Sequence, residues 1–248
     1  MVAFNVLNDI EPGSLLEDLS KKKLREVQRA LAFIAYPISV VDGLYGPNTR
    51  NAFAEFKEDI GEGDPGVVSE NSIEKLKVET ARIDGLLNVS LANKEQVKDA
   101  IASVCKGMGI GLKTQIAYVL ATTQWETAHT FEPVREAFWL SETWRRENLR
   151  YYPFYGRGYV QLTWKRNYEK YGEILDVGLV GNPDLAMGPT VALFVLVHGF
   201  KTGNFTGRKI EDYINAGSTD YRHARRCIND SDKWREIKRL AEDYESEI

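Results

Sequence analysis

Cysteine, histidine and long apolar runs are scarce in this 248-residue sequence, and each scarcity removes a class of function. The two cysteines, Cys105 and Cys227, cannot make a disulfide framework, and reduced, buried thiols are expected. The three histidines are His129, His198 and His223; there is no His-Glu-x-x-His and no cysteine pair at zinc spacing. The single step Glu126-x-x-His129 falls short of the two such steps and extra carboxylates of a di-metal bundle, so neither a metal nor another cofactor is expected. There is no Gly-x-Ser-x-Gly elbow, and Gly156-Arg157-Gly158 lacks the third glycine and acidic partner of a dinucleotide loop. The longest apolar run, Val191–Val197 between Pro189 and Gly199, is too short to span a bilayer and reads as a core helix. Met1 to Asp9 lacks the basic start and apolar core of a secretory signal, so synthesis in the cytoplasm without a membrane anchor is expected. Residues 1–80 carry 9 basic and 14 acidic side chains and the remainder 23 and 22, with no basic excess suited to nucleic acid.

What is present suits a packed, mainly α protein in two parts. The hydrophobic fraction of 43% is enough for a normal core. Leu24, Val27, Leu31 and Ile34 recur at helical spacing until Pro37. A turn-rich stretch, Val41 to Gly46, leads to Pro47 at a first helical position, with Phe53, Phe56 and Ile60 on the next apolar face. Ser69 can cap a third short helix through Leu76. Three short helices over residues 1–80, a junction at 81–92 and a larger helical domain at 93–248 are therefore predicted. Asn93 with Gln96 makes a capping-box pattern ahead of Val97, Ile101, Val104 and Met108. Further helices are predicted at Thr114–Glu126, Gln161–Tyr171, Pro189–Phe200, Tyr221–Cys227 and Ser231–Glu245, the last with a stripe of Trp234, Ile237, Leu240, Ala241 and Tyr244. Residues 127–160 read as irregular, and strand is confined to a short hairpin near 151–163.

The carboxylates carry the best chemistry. Glu126 closes an apolar helix beside Trp125, where desolvation can keep a carboxyl protonated and able to donate to a leaving oxygen. Glu136 follows ten residues later, past Pro133, and two carboxyls joined by a loop can face one another across a groove, as glycoside hydrolysis requires. Phe131, Phe138, Trp139, Trp144, Tyr151, Tyr152, Tyr155 and Trp164 crowd the same region; such rings line sugar clefts but also fill cores.

The order of these residues resembles a family. Trp125-Glu126-Thr127-Ala128, Pro133 to Trp139, Tyr155-Gly156-Arg157-Gly158-Tyr159-Val160-Gln161-Leu162-Thr163 with Asn167-Tyr168, and Ile214-Asn215-Ala216-Gly217 are similar to four ordered segments of the family-19 glycoside hydrolases in their phage-lysozyme branch, over roughly residues 93–230. The resemblance implies a lysozyme-like helical fold and inversion at the anomeric carbon, with Glu126 as general acid and Glu136 as general base. It implies that Gln161, Thr163, Asn167 and Asn215 bind sugar or steady the water, with Tyr155 and Trp164 as further sugar contacts and Arg157 ordering the signature loop. Many members carry histidine at Trp125 and glycine at Ala216. Leu24 to Leu31, Val41 to Arg50 and Gly66-Val67-Val68 resemble a peptidoglycan-binding three-helix module, with Asp42, Tyr45, Asn48 and Thr49 as candidate wall contacts. Together the two resemble the phage endolysins. They imply a monomer that waits in the host cytoplasm, reaches the wall on lysis, and hydrolyses the bond between N-acetylmuramic acid and N-acetylglucosamine in peptidoglycan. A chitinase, a wall-binding protein with an inactive catalytic domain, and a bacterial autolysin or secretion-system effector are the alternatives; retention of both Glu126 and Glu136 argues against the inactive one.

Overall fold

The structure, a computed structural model, describes residues 2–229 and 232–248. The chain is mainly helical and divides into two compact units, Met1–Gly85 with Glu173–Asp176, and Leu86–Gly172 with Val177–Ile248. No helix of the described residues is long and apolar enough to cross a membrane.

In the first unit, α1 (Lys21–Phe33), α2 (Pro47–Asp59) and, as far as Gly85, α3 (Glu70–Leu87) follow the apolar spacing. Order begins earlier than the periodicity suggests. A 3-10 helix at Asn5–Asp9 buries Leu7, and Ile10 and Leu16 are also buried. Two buried polar side chains of α1 hold this arm: Glu26 accepts from the Val6 amide at 3.2 Å, and Arg29 donates to the Ala3 carbonyl at 2.9 Å and lies 4.3 Å from the Phe4 ring. β1 (Ser14–Leu15) pairs antiparallel with β2 (Val67–Val68). The third helix is longer than predicted and takes in part of the expected junction. Ile73, Leu76, Thr80, Ile83 and Leu87 are all buried on one continuing stripe, which carries the helix past Leu76 and through Gly85.

The second unit contains α4 (Lys94–Gly107), α5 (Lys113–Glu126), α6 (Glu142–Asn148), α7 (Lys165–Leu175) as far as Gly172, α8 (Pro189–Thr202) and α9 (Trp234–Glu247). Asn93 caps α4 through the Gln96 amide at 3.0 Å, but the Gln96 side chain accepts from Ala92 rather than closing the box on Asn93. α5 is buried from Gln115 to Thr123 and α8 from Ala192 to Phe200, and α4 and α9 pack against α5. The α9 stripe buries Ile237, Ala241 and Tyr244, leaves Trp234 and Leu240 half-buried, and its predicted start at Ser231 lies outside the described residues. Tyr221–Cys227 is realised as a 3-10 helix over His223–Cys227. Cys105 and Cys227 are buried free thiols, and burial raises both above the ordinary thiol range, Cys227 to about 12.

Three strand pairs are seen among the described residues, each two residues long. The hairpin predicted within 151–163 shrinks to the bridge Arg157–Leu162, because β4 (Arg157–Gly158) spends its ladder on β3 (Val134–Arg135), Val134 opposite Gly158 and Arg135 opposite Arg157. β5 (Ile214–Asn215) and β6 (Ser218–Thr219) form a hairpin. α6, inside the stretch read as irregular, is too short to show periodicity; Ser141 caps it through the Trp144 amide at 3.1 Å.

Candidate active site

The β3–β4 pairing builds the site around Glu136. One residue beyond β3, the Glu136 amide donates to the Gly156 carbonyl at 2.7 Å, and the Gly156 amide returns a bond to Glu136 Oε2 at 2.9 Å. The Tyr151 hydroxyl donates to Oε1 at 2.6 Å. Burial, and then this carboxylate, push the Tyr151 phenol up to about 12, so it remains a donor at any working pH. The backbone beyond Glu136 is clamped by Arg145, which is 5% exposed and donates through Nε to the Glu136 carbonyl at 2.8 Å and through Nη2 to the Ala137 carbonyl at 2.9 Å. Phe138 and Trp139 follow this clamped backbone and are exposed, their ring centroids 5.1 Å apart.

Glu126 is the last residue of α5. In place of the apolar setting expected from Trp125, its Oε1 lies 2.8 Å from Nη2 of Arg225, a buried guanidinium on the His223–Cys227 turn. Arg225 is fixed in turn by donation from Nε to the Asp232 carbonyl at 2.9 Å. Between the two carboxylates the chain turns sharply. The Thr127 hydroxyl donates to Thr123 at 2.7 Å and accepts from the Phe131 amide at 3.0 Å, while the Phe131 ring is buried. Ala128, His129, Phe131, Ala137, Gln161 and Trp164 all have positive φ, a concentration of backbone strain that a fold retains where geometry is demanded.

The signature loop is held from inside by Arg157, which is 3% exposed. It donates to Asp184 Oδ1 at 2.9 Å, to the Pro153 and Tyr155 carbonyls at 2.8 and 3.2 Å and to the Tyr168 hydroxyl at 3.1 Å, and lies 3.7 Å from the Tyr155 ring. Desolvation works against charge on Asp184, but hydrogen bonds from Arg135 and Arg157 outweigh it and hold its carboxyl below the usual range. The Gln161 side chain lies over Gly156, where any Cβ would meet its Oε1 at 2.6 Å, and its amide donates to the Val134 carbonyl at 3.3 Å. Thr163 donates to the Gln161 carbonyl at 2.8 Å, and Asn167 to the Thr163 carbonyl at 2.7 Å. Positive φ at Gln161 and Trp164 also explains why α7 starts at Lys165 and not at Gln161. Trp164 is 42% exposed and its ring centroid is 5.1 Å from that of Tyr151. Gln161, Thr163, Trp164 and Glu136 thus belong to one interlocked loop system. Tyr155 is a correction: it is 1% exposed, its hydroxyl donates to Glu142 at 2.9 Å, and its ring supports Arg157 instead of offering a face to sugar.

Asn215 is exposed at the β5–β6 turn, where Oδ1 accepts from the Gly217 amide at 3.0 Å and Nδ2 donates to the Glu211 carbonyl at 3.1 Å. Neither Ala216 nor Gly217 has positive φ, so alanine stands there without strain. Buried Gln115 ties this hairpin to α5 through the Ile214 carbonyl at 2.8 Å. A cavity of about 660 Å³ opens beside the loop, lined by Phe138, Arg145, Asp184 and Met187 among others, but neither Glu126 nor Glu136 lines it.

In the first unit the four candidate wall residues fare differently. Gln28, 1% exposed, organises the turn: its Oε1 accepts from the Asp42 and Gly43 amides at 2.9 and 2.7 Å, and its Nε2 donates to Asp42, Leu44 and Thr49. Gly43 has φ +72°, and a Cβ there would meet the Lys21 carbonyl oxygen at 2.3 Å, so glycine is required. Asp42 is held below the usual carboxylate range, chiefly by the Leu44 amide. Asn48 spans the loop, accepting from Ser39 and donating to the Pro37 carbonyl. Thr49 is buried and is corrected from wall contact to internal support, because its hydroxyl receives Gln28; Tyr45, 40% exposed next to exposed Leu44, and the exposed Asn48 are the candidates open to solvent. Replacing Gln28 with methionine should remove the hub and cost about 2 kcal/mol. Hydrogen exchange at the Asp42, Gly43 and Leu44 amides should accelerate accordingly, and unchanged protection there would remove Gln28 from this role.

Arg145 and Arg225 were not legible as site residues, and Tyr151 was legible only as one of the crowded aromatic rings, not as a donor to Glu136. Ser141-x-x-Trp144 signals a cap and so hints at α6 and Arg145, but nothing local to Arg225 points to Glu126, 99 positions earlier in the chain.

Comparison with known proteins converges on the same stretch. Residues 113–205 match the family model for class I chitinases, glycoside hydrolase family 19. That span holds Glu126, Glu136, Gln161, Thr163 and Asn167 and is narrower than the 93–230 resemblance; Asn215 falls outside it. Basic endochitinase CHB4 of Brassica napus is 36% identical over 113 residues, covering 42% of this chain and 39% of that protein. Chitinase 11 of Oryza sativa subsp. japonica is 50% identical over 42 residues, or 17% of this chain and 16% of that protein. An endochitinase of Carica papaya is 51% identical over 41 residues, or 16% and 17%. The chain therefore spans well under half the length of these relatives and carries a chitinase-class-I-like segment at its candidate site.

Proposed function

We propose that this chain is a glycoside hydrolase that cuts the β-1,4 bond between N-acetylmuramic acid and N-acetylglucosamine in bacterial peptidoglycan. The observation that supports this most is the setting of Glu136, a carboxylate held by the Tyr151 hydroxyl and the Gly156 amide within the chitinase-like segment that also holds Glu126. In this reading Glu126 gives its proton to the bridging oxygen as the bond from the anomeric carbon breaks. Glu136 takes a proton from water, which attacks that carbon from the opposite face. Gln161, Thr163, Asn167 and Asn215 hold the sugar and the water. The first unit, through the Gln28-built turn and Tyr45, holds the polymer. The monomer acts as an endolysin, leaving the host cytoplasm for the wall once the inner membrane is breached.

The names of the relatives favour a second reading, a chitinase acting on N-acetylglucosamine polymers. Mass spectrometry of digested peptidoglycan separates the two, since a reducing-end N-acetylmuramic acid is expected from the first. Turnover confined to chitin oligomers would establish the second.

The mechanism has its own test. An inverting enzyme keeps room for water between its carboxyls, roughly 6.5–9.5 Å, whereas a retaining one bonds the sugar to its second carboxylate. Proton NMR of early products should show the α-anomer first from the β-linked substrate, with no covalent adduct. A β-anomer formed first would end the assignment of Glu136 as base.

A further inference from the structure

Four buried side-chain atoms have no hydrogen-bond partner among the described residues: Tyr118 Oη, Thr122 Oγ1, Glu126 Oε1 and Arg225 Nη1. They are not scattered. Tyr118, Thr122 and Glu126 are spaced four apart on α5, which places them in one file along the helix. Arg225 closes the file at the Glu126 end, 2.8 Å away through Nη2; that approach joins opposite charges without the alignment of a hydrogen bond. At the other end the Tyr118 ring stacks on Tyr221, four residues before Arg225, at 5.7 Å and 10°.

The neighbouring hydroxyls show what is unusual. Thr123 and Thr127 both donate to the carbonyl four residues earlier, at 2.8 and 2.7 Å, which is how a helix normally satisfies a threonine. Thr122 does not. Orphaned buried groups are few in native proteins, and four in one file, two of them charged, point to an occupant that bonds them all. The donor set chooses the occupant. A cation is repelled by Arg225 and an anion by Glu126. A water can accept from Arg225 Nη1, donate to Glu126 Oε1 and exchange bonds with the two hydroxyls, matching the three or so partners of a typical buried water.

We propose that Tyr118, Thr122, Glu126 and Arg225 enclose an ordered water, and that Tyr118 and Thr122 are positioning residues that orient the Glu126 carboxyl through it. The inference rests on the reading of Glu126 as general acid. The charged and titratable groups around the file are Asp220, Arg225 and Cys227 in and just before the His223–Cys227 turn, with Lys233 over Trp125 and Tyr244 bonded to Gln124 from the α9 side. Burial raises the Tyr118 phenol above its ordinary range and Cys227 to about 12, so both stay protonated where an assay is run.

Two measurements on the full chain test this. A high-resolution crystal structure should show a solvent peak within hydrogen-bond distance of at least three of the four atoms. The double variant Tyr118→Phe with Thr122→Val keeps the ring and the volume and removes both hydroxyls. It should lower kcat about tenfold with KM within twofold. It should also move the alkaline limb of the kcat–pH profile to higher pH, since two groups that stabilise the carboxylate through the water are gone. Thr122→Ser, which keeps the hydroxyl, should behave like the parent. A dry site, or side chains bonded directly to one another, would overturn the proposal. So would a double variant that melts higher with unchanged kcat and pH profile, because removing orphaned groups from a dry site is stabilising. If the protein cleaves no glycan, the acid assignment falls while the electron density still decides the water.

Discussion

Glu126→Gln and Glu136→Gln should each fold and each lose on the order of 100-fold or more in kcat, the loss expected when general acid or base assistance is removed. The local geometry says why both variants fold. At 136, the glutamine oxygen can accept from the Gly156 amide in place of Oε2, and the Tyr151 hydroxyl can rotate to accept from the new NH₂ group, so neither neighbour is orphaned. At 126 the amide keeps the volume but leaves the Arg225 guanidinium, 4% exposed, without its counter-charge. Glu126→Gln should therefore also be the less stable of the two. The comparison separates catalysis from support, since Tyr151→Phe removes one donor to Glu136 yet keeps the base and should cost far less than Glu136→Gln. Steady-state turnover of purified peptidoglycan by the three variants, with circular dichroism to confirm folding, is the measurement. A Glu136→Gln enzyme within a few-fold of the parent would remove Glu136 from the mechanism, and the same result at 126 would remove Glu126 and with it the water-mediated positioning.

What could be read from the sequence divides along physical lines. The long helices were legible from their apolar pattern: α1, α4 and α9 from apolar residues at helical spacing and α8 from an unbroken apolar run were expected within a few residues of where they lie, and the mainly α class followed. The end of α3 was missed because the third helix was read only through Leu76, whereas burial of Thr80, Ile83 and Leu87 carries it into the expected junction. In residues 127–160 periodicity gives no information, as order there comes from single arginines and tyrosines bonded to backbone. Arg145 and Arg157 together donate to seven carbonyl and side-chain oxygens within one loop system, a pattern with no spacing to detect. The types of the candidate catalytic residues were legible, but their partners were not. Tyr155 and Thr49 were misjudged for the same reason, since a polar tip on a residue in a recognised segment does not say whether it points out or in.

That dependence on single buried arginines sets up the largest stability effect expected in the second unit. Arg157→Leu should destabilise that unit by about 3–4 kcal/mol. The figure does not come from the ion pair with Asp184. That carboxylate is 51% exposed and keeps Arg135 at 3.0 Å, so the lost charge pairing is heavily screened and contributes little. It comes from the other end of the guanidinium. Leucine leaves the Pro153 carbonyl without the donor Arg157 gives it, removes one of two donors to the Tyr155 carbonyl, the Tyr168 hydroxyl being the other, and forfeits the stacking of the guanidinium on the Tyr155 ring. Arg157→Lys should recover only part of the loss, because an ammonium cannot reach Asp184 and Pro153 in one fork. The effect reaches the site through the backbone. Arg157 is the residue after Gly156, whose amide holds Glu136 Oε2, so loosening 153–158 releases the base and kcat should fall with stability. Urea titration followed by hydrogen exchange at the 153–163 amides, which reads this unit alone, checks the claim. Parent-like protection in Arg157→Leu would mean that the loop is held by its aromatic packing, and the support assigned to Arg157 would pass to Tyr155 and Tyr168.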